Sequence, residues 1–270
     1  MDRKKLHDIL PPVCFRFLSG LFYGWHGDYS SWDDAKRRCL GYDSKSILNK
    51  IRASARKVKD GEAAYERDSV LFYNQDYNYP LLSALLWISI MNKGRLHVLD
   101  FGGSLGSTYY QNKAIFDSIK DLKWCIVEQP DFVLTGLDEF ADDRLHFSCT
   151  VEECMNNVQI DVVLMSSVLQ YLEEPFRTII NLKAVGIKYF LVDRTPFIRG
   201  KDRITIQKVP PKIYKGSYPC WFFNKENFMN VFKGSYKLLL EFNALDKANI
   251  VSEFKGFLFQ RIPDDHSKAQ

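Results

Sequence analysis

VLDFGGSLGS, from Val98 to Ser107, places an acid and three glycines directly after an apolar run. The apolar run predicts a buried β-strand, and the glycines predict a tight turn that leads into a helix. Glycines let a backbone approach a ligand without Cβ clashes, and the amides that open a helix attract anions. The stretch therefore predicts an α/β fold with a ligand at this turn.

The spacing of the turn does not match two common nucleotide-binding motifs. A P-loop needs Lys followed by Ser or Thr after its last glycine, whereas Ser107 follows Gly106 directly. The dinucleotide pattern GxGxxG fails as well, because it requires glycine at Ser104 and glycine or alanine at Ser107. What remains is an acid with small residues two, four and six positions later, namely Asp100, Gly102, Ser104 and Gly106.

This remaining spacing suits S-adenosylmethionine, whose amino-acid tail carries an ammonium and a carboxylate. Asp100 can attract the ammonium, directly or through water, and the first amides of the next helix can face the carboxylate. Glu128, predicted at the next strand tip, can accept hydrogen bonds from both ribose hydroxyls, although a solvated acid is the alternative. The residues expected to bind this cofactor are Asp100, Gly102, Gly103, Ser104, Gly106, Ser107, Glu128, Gln129, Cys149, Thr150, Ser166 and Ser167.

From about residue 96 onward, short apolar runs alternate with longer amphipathic ones. This alternation is typical of a doubly wound, mostly parallel sheet covered by helices. Parallel strands are predicted at Leu96 to Phe101, Trp124 to Gln129, Leu145 to Cys149, Ile160 to Ser167 and Tyr189 to Asp193. Tyr236 to Ala244 and Glu253 to Ile262 are predicted as a closing antiparallel pair, after a helix that Asn224 caps.

Two segments fall outside the alternation. Residues 1–92 are predicted to form a helical amino-terminal extension, in which the apolar Tyr79 to Met91 leads into the first strand. Residues 93–270 are predicted to form the Rossmann-like domain. Within it, Thr195 to Phe223 is rich in Pro, Tyr, Lys and Arg, and is predicted to be an inserted substrate loop above a strand's carboxyl end.

Charge is unevenly distributed along this chain of 270 residues with a net charge of +4. Lys36 to Lys59 holds nine basic residues against the single acid Asp43, while its apolar residues recur at helical spacing. The segment is either a surface for an anionic partner or the solvated face of an amphipathic helix.

Cysteine spacing and hydropathy limit the class of protein. The six cysteines form no CxxC pair or His-spaced cluster, so we predict no metal site and no disulfide framework. Leu81 to Met91 is about half as long as the roughly 20 residues that cross a bilayer. No signal-peptide pattern opens the chain. We expect a cytoplasmic protein without a transmembrane segment, a prediction that leaves room for peripheral membrane contact.

Eight stretches resemble a known family. They are Trp32 with Ala35, Gly41 to Leu48, Tyr65 to Phe72, Leu99 to Asn112, Val127 to Pro130, Ser166 to Pro175, Val192 to Phe197 and Ser217 to Pro219. On these residues the chain is similar to class I, Rossmann-like methyltransferases. It most resembles a family associated with bacterial gene clusters for cell-surface polysaccharide and lipopolysaccharide. The resemblance implies a seven-stranded sheet, S-adenosylmethionine and a saccharide or glycan-linked acceptor. Ser104 departs from the glycine of the wider class.

Methyl transfer is an in-line displacement, so the protein mainly aligns the reactants and excludes water. A hydroxyl acceptor also needs a base, and Asp193 at the fifth strand tip is the best-placed carboxylate. An ion pair with Arg194 is the structural alternative, and Arg194, Tyr214 and Tyr218 can instead orient the acceptor. Tyr171 is expected near the sulfonium, with core packing as the alternative. The catalytic candidates are thus Asp193, Arg194 and Tyr171.

The predicted activity is S-adenosylmethionine-dependent O-methylation of a saccharide or saccharide-linked intermediate of surface polysaccharide synthesis. The alternative is a non-catalytic scaffold that keeps the fold and organises a glycan-assembly complex through its amino-terminal region. A nucleic-acid partner is not expected, since Ser166 to Tyr171 lacks the Asn/Asp-Pro-Pro-aromatic signature of amino-methylating enzymes. The failed dinucleotide pattern argues against an oxidoreductase. The sequence does not fix the acceptor's identity or the oligomeric state.

Overall fold

The computed structural model describes residues 22–40, 44–214 and 216–263, and within them a ten-stranded mixed sheet and a separate two-stranded hairpin. The strands are β1 (Gly24–Tyr29), β2 (Tyr65–Arg67), β3 (Val70–Phe72), β4 (Arg95–Phe101), β5 (Asp121–Val127), β6 (Leu145–Ser148), β7 (Val162–Ser166), β8 (Tyr189–Ile198), β9 (Arg203–Val209), β10 (Gly216–Asn224), β11 (Tyr236–Asn243) and β12 (Glu253–Arg261).

Helices cover the sheet and connect its strands. They are α1 (Trp32–Arg37), α2 (Ser44–Lys59), α3 (Tyr79–Met91), α4 (Ser107–Phe116), α5 (Pro130–Glu139), α6 (Val151–Asn157), α7 (Pro175–Ala184) and α8 (Lys225–Phe232). A short 3-10 helix spans Leu169–Tyr171. No helix in the described ranges has the length and apolar character that a bilayer crossing requires.

The central part of the sheet has the strand order β6-β5-β4-β7-β8-β12-β11. β4 to β8 run parallel to one another, and β12 pairs antiparallel with both β8 and β11. The chain winds outward from β4 in one direction and then returns to place β7 on its other side. This arrangement confirms the predicted doubly wound, mostly parallel sheet with an antiparallel final pair. Over the residues described, the sheet has ten strands rather than the expected seven, because β1, β9 and β10 extend it from the end of β8.

The parallel strands form because their apolar residues can be buried on both faces of the sheet. Leu99 and Val163 pack into one of two core clusters, and Val98 and Leu164 pack into the other. The predicted helix over Tyr79–Met91 is confirmed. Asn78 caps it by accepting a hydrogen bond from the Leu81 amide at 3.4 Å.

The prediction of a loop over Thr195 to Phe223 was wrong. β8 continues to Ile198, and β9 and β10 form an antiparallel pair that extends the sheet. β10 rejoins β8 in parallel at its end, where Phe223 is opposite Phe197. The polar composition hides short strand patterns, since Ile204 and Ile206 of β9 pack into a small core of their own.

The amino-terminal region is less helical than predicted. α1, α2 and α3 are present, but β1 pairs with the outer edge of β9, and β2 and β3 form a hairpin. β1 belongs to the sheet because the Trp25 ring packs on Phe222 at 6.0 Å and on Phe254 at 6.3 Å between centroids. The part of the predicted extension before residue 22 lies outside the described residues.

Candidate functional site

A cavity of about 760 Å³ opens at the carboxyl ends of the parallel strands. It lies where the winding direction changes between β4 and β7, the usual ligand position in doubly wound sheets. Its volume falls within the range of roughly 300 to 1,000 Å³ that small-molecule sites have. The position and the size both make this cavity the candidate site.

Two sets of residues form the cavity, and we call them the sheet wall and the cover wall. The sheet wall follows the strand tips and consists of Phe101, Gly102, Ser104, Ser107, Val127, Glu128, Gln129, Pro130, Phe132, Cys149, Ser167, Val168, Tyr171 and Leu172. The cover wall comes from the amino-terminal region and the β9–β10 extension, and consists of Trp32, Lys36, Cys39, Ile47, Ile51, Glu66, Asp68, Ser69, Tyr214, Ser217, Tyr218 and Pro219.

The turn after β4 has a regular backbone that explains its spacing. Gly102, Ser104 and Gly106 have φ angles of +72°, +56° and +93°, so each position of the predicted frame is left-handed. Glycine adopts this conformation without cost, whereas another residue pays about 1–2 kcal/mol. Ser104 therefore takes the same conformation that a glycine would, and its side chain does not change the path of the turn.

Gly102 and Gly103 are needed because the side chains of Val168 and Asp100 pack tightly against the turn. A Cβ on Gly102 would lie 2.4 Å from Cγ2 of Val168, and one on Gly103 would lie 2.5 Å from Cγ of Asp100. Neither position leaves room for a side chain. The turn can thus lie directly on the segment after β7 and bring its backbone to the cavity.

Glu128 presents its carboxylate to the cavity just after β5. Its Oε1 accepts a hydrogen bond from the Ser104 amide at 3.3 Å, and its Oε2 accepts one from the Gln129 amide at 2.8 Å. Burial raises the pKa of this carboxyl, against the two backbone hydrogen bonds. Each oxygen keeps a second lone pair, so the fixed carboxylate can accept further hydrogen bonds from a ligand.

Asp100 is not on the cavity surface, contrary to its predicted contact with the cofactor. Its carboxyl is buried beneath Gly103, where Oδ2 accepts a hydrogen bond from Nε1 of Trp124 at 3.0 Å. Burial raises its pKa to about 7; the Trp124 hydrogen bond opposes this and the charge of Glu128 adds to it. Successive strand residues alternate sides, so Phe101 lines the cavity instead.

The structure brings some of the other predicted cofactor residues to the cavity and leaves others behind it. Gly102, Ser104, Ser107, Glu128, Gln129, Cys149 and Ser167 belong to the sheet wall. Gly103, Gly106, Thr150 and Ser166 do not line it. The Thr150 side chain is occupied as the cap of α6, where it accepts a hydrogen bond from the Glu153 amide at 3.2 Å.

Of the three predicted catalytic residues, only Tyr171 lines the cavity. Asp193 is buried behind the sheet wall, where its Oδ2 accepts hydrogen bonds from Asn78 Nδ2 at 2.8 Å and Ser166 Oγ at 3.3 Å. Burial raises its pKa to about 6, although the charge of Arg194 lowers it. Its role as a base therefore stays a prediction, and the geometry gives it no direct contact with the cavity.

Arg194 also lies away from the cavity wall and holds two other segments. Its Nε lies 3.0 Å from Oδ2 of Asp246, and its Nη2 lies 2.8 Å from Oδ1 of the same carboxylate. Nη2 also lies 3.3 Å from Oδ2 of Asp68. Asp193 was the predicted ion-pair partner, but the guanidinium contacts the carboxylates of Asp246 and Asp68. Arg194 thus fixes the cover wall to β8.

The β2–β3 hairpin is the main feature that the sequence analysis missed. Arg67 is opposite Val70, and the two turn residues between them, Asp68 and Ser69, have φ angles of +52° and +67°. Left-handed backbone at both positions is typical of the type I′ hairpin turn, which normally contains Asn and Gly. The turn is sustained by contacts: the Ser54 Oγ donates to the Ser69 carbonyl at 3.0 Å.

Glu66 stands at the base of this hairpin turn and belongs to the cover wall. Its side chain is buried, its Oε2 accepts a hydrogen bond from the Ser69 amide at 3.0 Å, and its Oε1 accepts one from Ser107 Oγ. Burial raises its pKa, against the hydrogen bonds from Ser107 and Ser69. The motif Tyr65 to Phe72 was the only signal in the sequence, and it carried no role for this carboxylate.

Three tyrosines meet at the boundary of the two walls. The Tyr171 hydroxyl donates to Gln207 Oε1 at 2.8 Å, and the Tyr214 and Tyr218 hydroxyls lie 2.9 Å apart. The Tyr171 and Tyr218 rings pack edge to face at 5.3 Å. Burial raises the pKa of all three hydroxyls, and the charge of Asp68 adds to it. They are therefore neutral hydrogen-bonding groups near physiological pH.

The basic segment Lys36 to Lys59 is used largely within the protein. Arg52 and Arg56 of α2 both pair with the carboxylate of Glu139 on α5, the latter at 3.0 Å. Lys50 and Lys59 donate to the backbone carbonyls of Ile213 and Glu139. These contacts favour the interpretation of α2 as an amphipathic helix that holds the cover in place.

Among the described residues, no group of three or more His, Cys, Asp or Glu side chains is arranged to hold a metal ion. The described cysteines, which are Cys39, Cys125, Cys149, Cys154 and Cys220, are all free thiols.

Comparison with known proteins gives similarity only at the level of solved structures. No protein-family model matches the chain, and no curated protein sequence matches it. The structure of 1,6-didemethyltoxoflavin-N1-methyltransferase from Burkholderia thailandensis, with 1,6-didemethyltoxoflavin and S-adenosylhomocysteine bound, is similar at 11% identity over 83% of this chain and 92% of that chain, with a TM-score of 0.45.

Two further structures show similarity of the same order. Magnesium protoporphyrin IX methyltransferase from Synechocystis PCC 6803, with bound SAM, has 11% identity over 83% of this chain and 99% of that chain, with a TM-score of 0.45. An amino pentose methyltransferase from Micromonospora echinaspora, also SAM-bound, has 9% identity over 70% and 93%, with a TM-score of 0.45. With TM-scores below 0.5, what this cavity binds has to be inferred from its own residues.

Proposed function

We propose that the protein is an S-adenosylmethionine-dependent methyltransferase. The observation that carries this proposal is the shared cavity of the left-handed turn after β4 and the fixed carboxylate of Glu128. A nucleoside with an amino-acid tail needs a close backbone approach at one end and paired acceptors for its ribose at the other. The cavity has both, at the switch point where ligands of this fold class bind.

The residues of the sheet wall fit the parts of this cofactor. Glu128 would accept hydrogen bonds from the two ribose hydroxyls, because its carboxylate is held in place by two amides. Val127, Phe132 and Cys149 would border the adenine beyond it. When bound, the cofactor supplies a methyl group on a positively charged sulfur, which is already a good electrophile.

Apolar residues of the sheet wall would keep water from the reacting atoms. Phe101, Val168 and Leu172 follow the tips of β4 and β7, where they form an apolar part of the cavity. A water-excluded surface strengthens electrostatic interactions and prevents hydrolysis of a reactive methyl donor. Alignment and exclusion of water are the main demands of an in-line displacement.

The acceptor that we propose is a hydroxyl group of a saccharide or of a saccharide-linked intermediate of surface polysaccharide synthesis. The hydroxyls of Tyr171, Tyr214 and Tyr218 offer a neutral hydrogen-bonding surface that suits a polyhydroxylated ligand. The indole of Trp32, which stacks on Trp221 at 6.1 Å, adds an aromatic face on the cover wall. Such mixed aromatic and hydroxyl surfaces bind molecules with apolar faces and polar edges.

We propose Asp68 as the base that takes the proton from this hydroxyl, in place of Asp193. Asp68 lies on the cover wall next to the three tyrosines, whereas Asp193 is buried behind the sheet wall. A base must come within hydrogen-bond reach of the proton that it removes. Asp193, which lies in the middle of β8, would instead hold Asn78 and the end of β7 in position through its hydrogen bonds with Asn78 and Ser166.

Calorimetry with the purified full chain tests the cofactor. We expect S-adenosylmethionine and S-adenosylhomocysteine to bind with dissociation constants in the micromolar range, and no binding of either at millimolar concentration would refute the proposal. Incubation with isotopically labelled cofactor and surface-glycan intermediates then tests the acceptor, with product mass as the readout. Binding without turnover on any such intermediate would favour the scaffold alternative.

Two aspartate variants separate the proposed base from the buried carboxylate. We expect Asp68→Asn to lower the turnover rate about 10²-fold or more, the usual contribution of a positioned base, while affinity for S-adenosylhomocysteine changes less than about twofold. Asp193→Asn should lower turnover less than Asp68→Asn does. The reverse order of effects would return the role of base to Asp193.

A further inference from the structure

The amino-acid tail of the proposed cofactor requires a partner for its ammonium, and this inference rests on the proposed function. An ammonium taken from water into a cavity is costly unless a carboxylate or several acceptors receive it. Asp100, the residue expected from the sequence, is only 1% exposed and is covered by Gly103. The cavity must therefore offer the ammonium another acceptor.

Three carboxylates belong to the described walls of the cavity, and they differ in position and in partners. Glu128 lies at the tip of β5 and holds the Ser104 and Gln129 amides, at the ribose end of the proposed site. Asp68 is 65% exposed at the side chain and pairs with Arg194. The third carboxylate, Glu66, contacts Ser107, the first residue of α4.

The contact with Ser107 places Glu66 next to the glycine turn. Gly106, the residue before Ser107, is the left-handed cap of α4 and has no side chain with which to cap the helix. The cofactor's amino-acid tail is expected at this turn, because the turn lets the backbone come close to a ligand. Glu66 is therefore the wall carboxylate at the amino-acid end of the cavity.

Glu66 is also a buried anion whose own contacts leave it short of positive charge. Only 4% of the residue is exposed, and its hydrogen bonds come from the neutral donors Ser69 N and Ser107 Oγ. Within the described part of the chain, no cationic side chain forms an ion pair with it. The charge of Arg194 acts on Glu66 without a direct contact, is opposed by the charge of Asp68, and is already paired with Asp68 and Asp246. A buried carboxylate with neutral donors alone is expensive, and a cationic ligand group would offset that cost.

We propose that Glu66 of the β2–β3 hairpin binds the α-ammonium of the cofactor's amino-acid tail. The free lone pairs of its two oxygens receive the ammonium, while Ser107 and Ser69 hold the carboxylate in place. The amino-terminal region of this chain then completes the cofactor site, and its hairpin is part of the binding machinery. Cofactor binding and ordering of the hairpin turn are thereby coupled.

A purely structural role is the competing explanation. A carboxylate near the amino terminus of a helix stabilises that helix by interaction with its dipole, and Glu66 could act on α4 in this way alone. Such a role predicts lower thermal stability in a variant, with affinity reduced equally for every ligand of the cavity. The proposed role predicts a loss confined to ligands that carry the ammonium.

The test compares two ligands that share the nucleoside and differ in the amino-acid tail. S-adenosylhomocysteine has the ammonium, and 5′-methylthioadenosine lacks the whole tail. In calorimetry on the full chain, we expect Glu66→Gln to weaken S-adenosylhomocysteine about 10- to 100-fold, the range for hydrogen bonds to charged groups, and methylthioadenosine less than about twofold. Glu62→Gln, an exposed acid in the same segment, is the matched control and should change neither.

The outcomes separate this inference from the proposed function. Wild-type protein that binds neither ligand overturns both. Wild-type protein that binds S-adenosylhomocysteine, together with a Glu66→Gln variant that binds both ligands as wild type does or loses both equally, overturns the role of Glu66 alone. If Glu66→Gln does not fold, Glu66→Asp is used instead, because it keeps the negative charge on a side chain that is one methylene shorter. The same selective loss of affinity for S-adenosylhomocysteine is expected.

Discussion

The two walls of the cavity are built from different kinds of groups. The sheet wall acts largely through its backbone, in a turn where Gly102, Ser104 and Gly106 are all left-handed. The cover wall acts through side chains, among them the carboxylates of Glu66 and Asp68 and the hydroxyls of Tyr214 and Tyr218. Backbone recognition suits a ligand part that never changes, whereas side chains can be exchanged. We infer that the sheet wall, together with Glu66, serves the cofactor and that the rest of the cover wall decides the acceptor.

The largest effect is expected when a side chain is added to the glycine turn of the sheet wall. In Gly102→Ala, the new Cβ would meet Val168 at 2.4 Å on a backbone with φ of +72°. We expect S-adenosylhomocysteine affinity to fall about 10³-fold, because the turn must move away from Val168, and overpacking to cost about 1–3 kcal/mol in unfolding free energy. Calorimetry and urea denaturation measure the two effects.

Gly94→Ala is the matched control for that variant. Gly94 also has a positive φ, of +90°, but a Cβ there would meet nothing within 4 Å. The unfolding free energy of Gly94→Ala should therefore fall only by the left-handed backbone cost of about 1–2 kcal/mol, and the variant should bind the cofactor with wild-type affinity. Equal loss of binding in both variants would mean that general destabilisation, and not the packing of the turn, explains the effect.

Asp193 lies behind the sheet wall, and its titration should appear in stability. The pKa of Asp193 is about 6 in the folded protein, above the usual 3.8. The stabilising contribution of Asp193 to the free energy of unfolding is therefore fully present below about pH 3.8 and is lost as the pH rises through 6. The unfolding free energy of Asp193→Asn relative to wild type should therefore increase by about 2 kcal/mol between pH 4 and pH 7.

Urea denaturation at several pH values measures this difference, with Asp76→Asn, at an exposed aspartate, as the control variant. A constant difference between Asp193→Asn and wild type over this range would contradict the raised pKa.

Glu128 is the side chain of the sheet wall that we propose binds the ribose. Its replacement should affect a different set of ligands from the replacement of Glu66. Glu128→Gln should weaken both S-adenosylhomocysteine and methylthioadenosine about 10-fold, because both carry the ribose. The exposed Glu152→Gln provides the control. A variant that loses only S-adenosylhomocysteine would place Glu128 at the amino-acid end instead.

Ser104→Gly should have the smallest effect. Relief of the left-handed backbone at φ of +56° is offset in part by the greater freedom of glycine in the unfolded chain. We expect unfolding free energy to rise by no more than about 1 kcal/mol, with affinity for S-adenosylhomocysteine within about twofold of wild type. A larger gain in affinity would show that the serine side chain obstructs the cavity.

The same division between the walls explains what the sequence could predict. The strands of the sheet wall and the helix over Tyr79–Met91 follow from apolar runs and local capping, which a sequence displays directly. The closing pair β11–β12 and the Asn224 cap follow in the same way. These features depend on neighbours a few residues apart, so their physical causes are visible in the sequence.

The cover wall depends on contacts between distant parts of the chain. Glu66 meets Ser107 across 41 positions, and Arg194 meets Asp68 across 126. The hairpin turn at Asp68 and Ser69 has neither glycine nor asparagine to indicate it, since tertiary contacts sustain its backbone. Asp100 was correctly expected near a strand end, whereas Asp193 lies in the middle of β8, opposite the last residue of β7. The side of the sheet to which each carboxylate points was not evident from the sequence.

β8 links the two walls mechanically. Its first half pairs in parallel with β7, and its last residues pair with β10, within one continuous strand of ten residues. The β9–β10 extension therefore cannot move away from the sheet without breaking the pairing of Phe223 and Asn224 with Phe197 and Ile198 of β8.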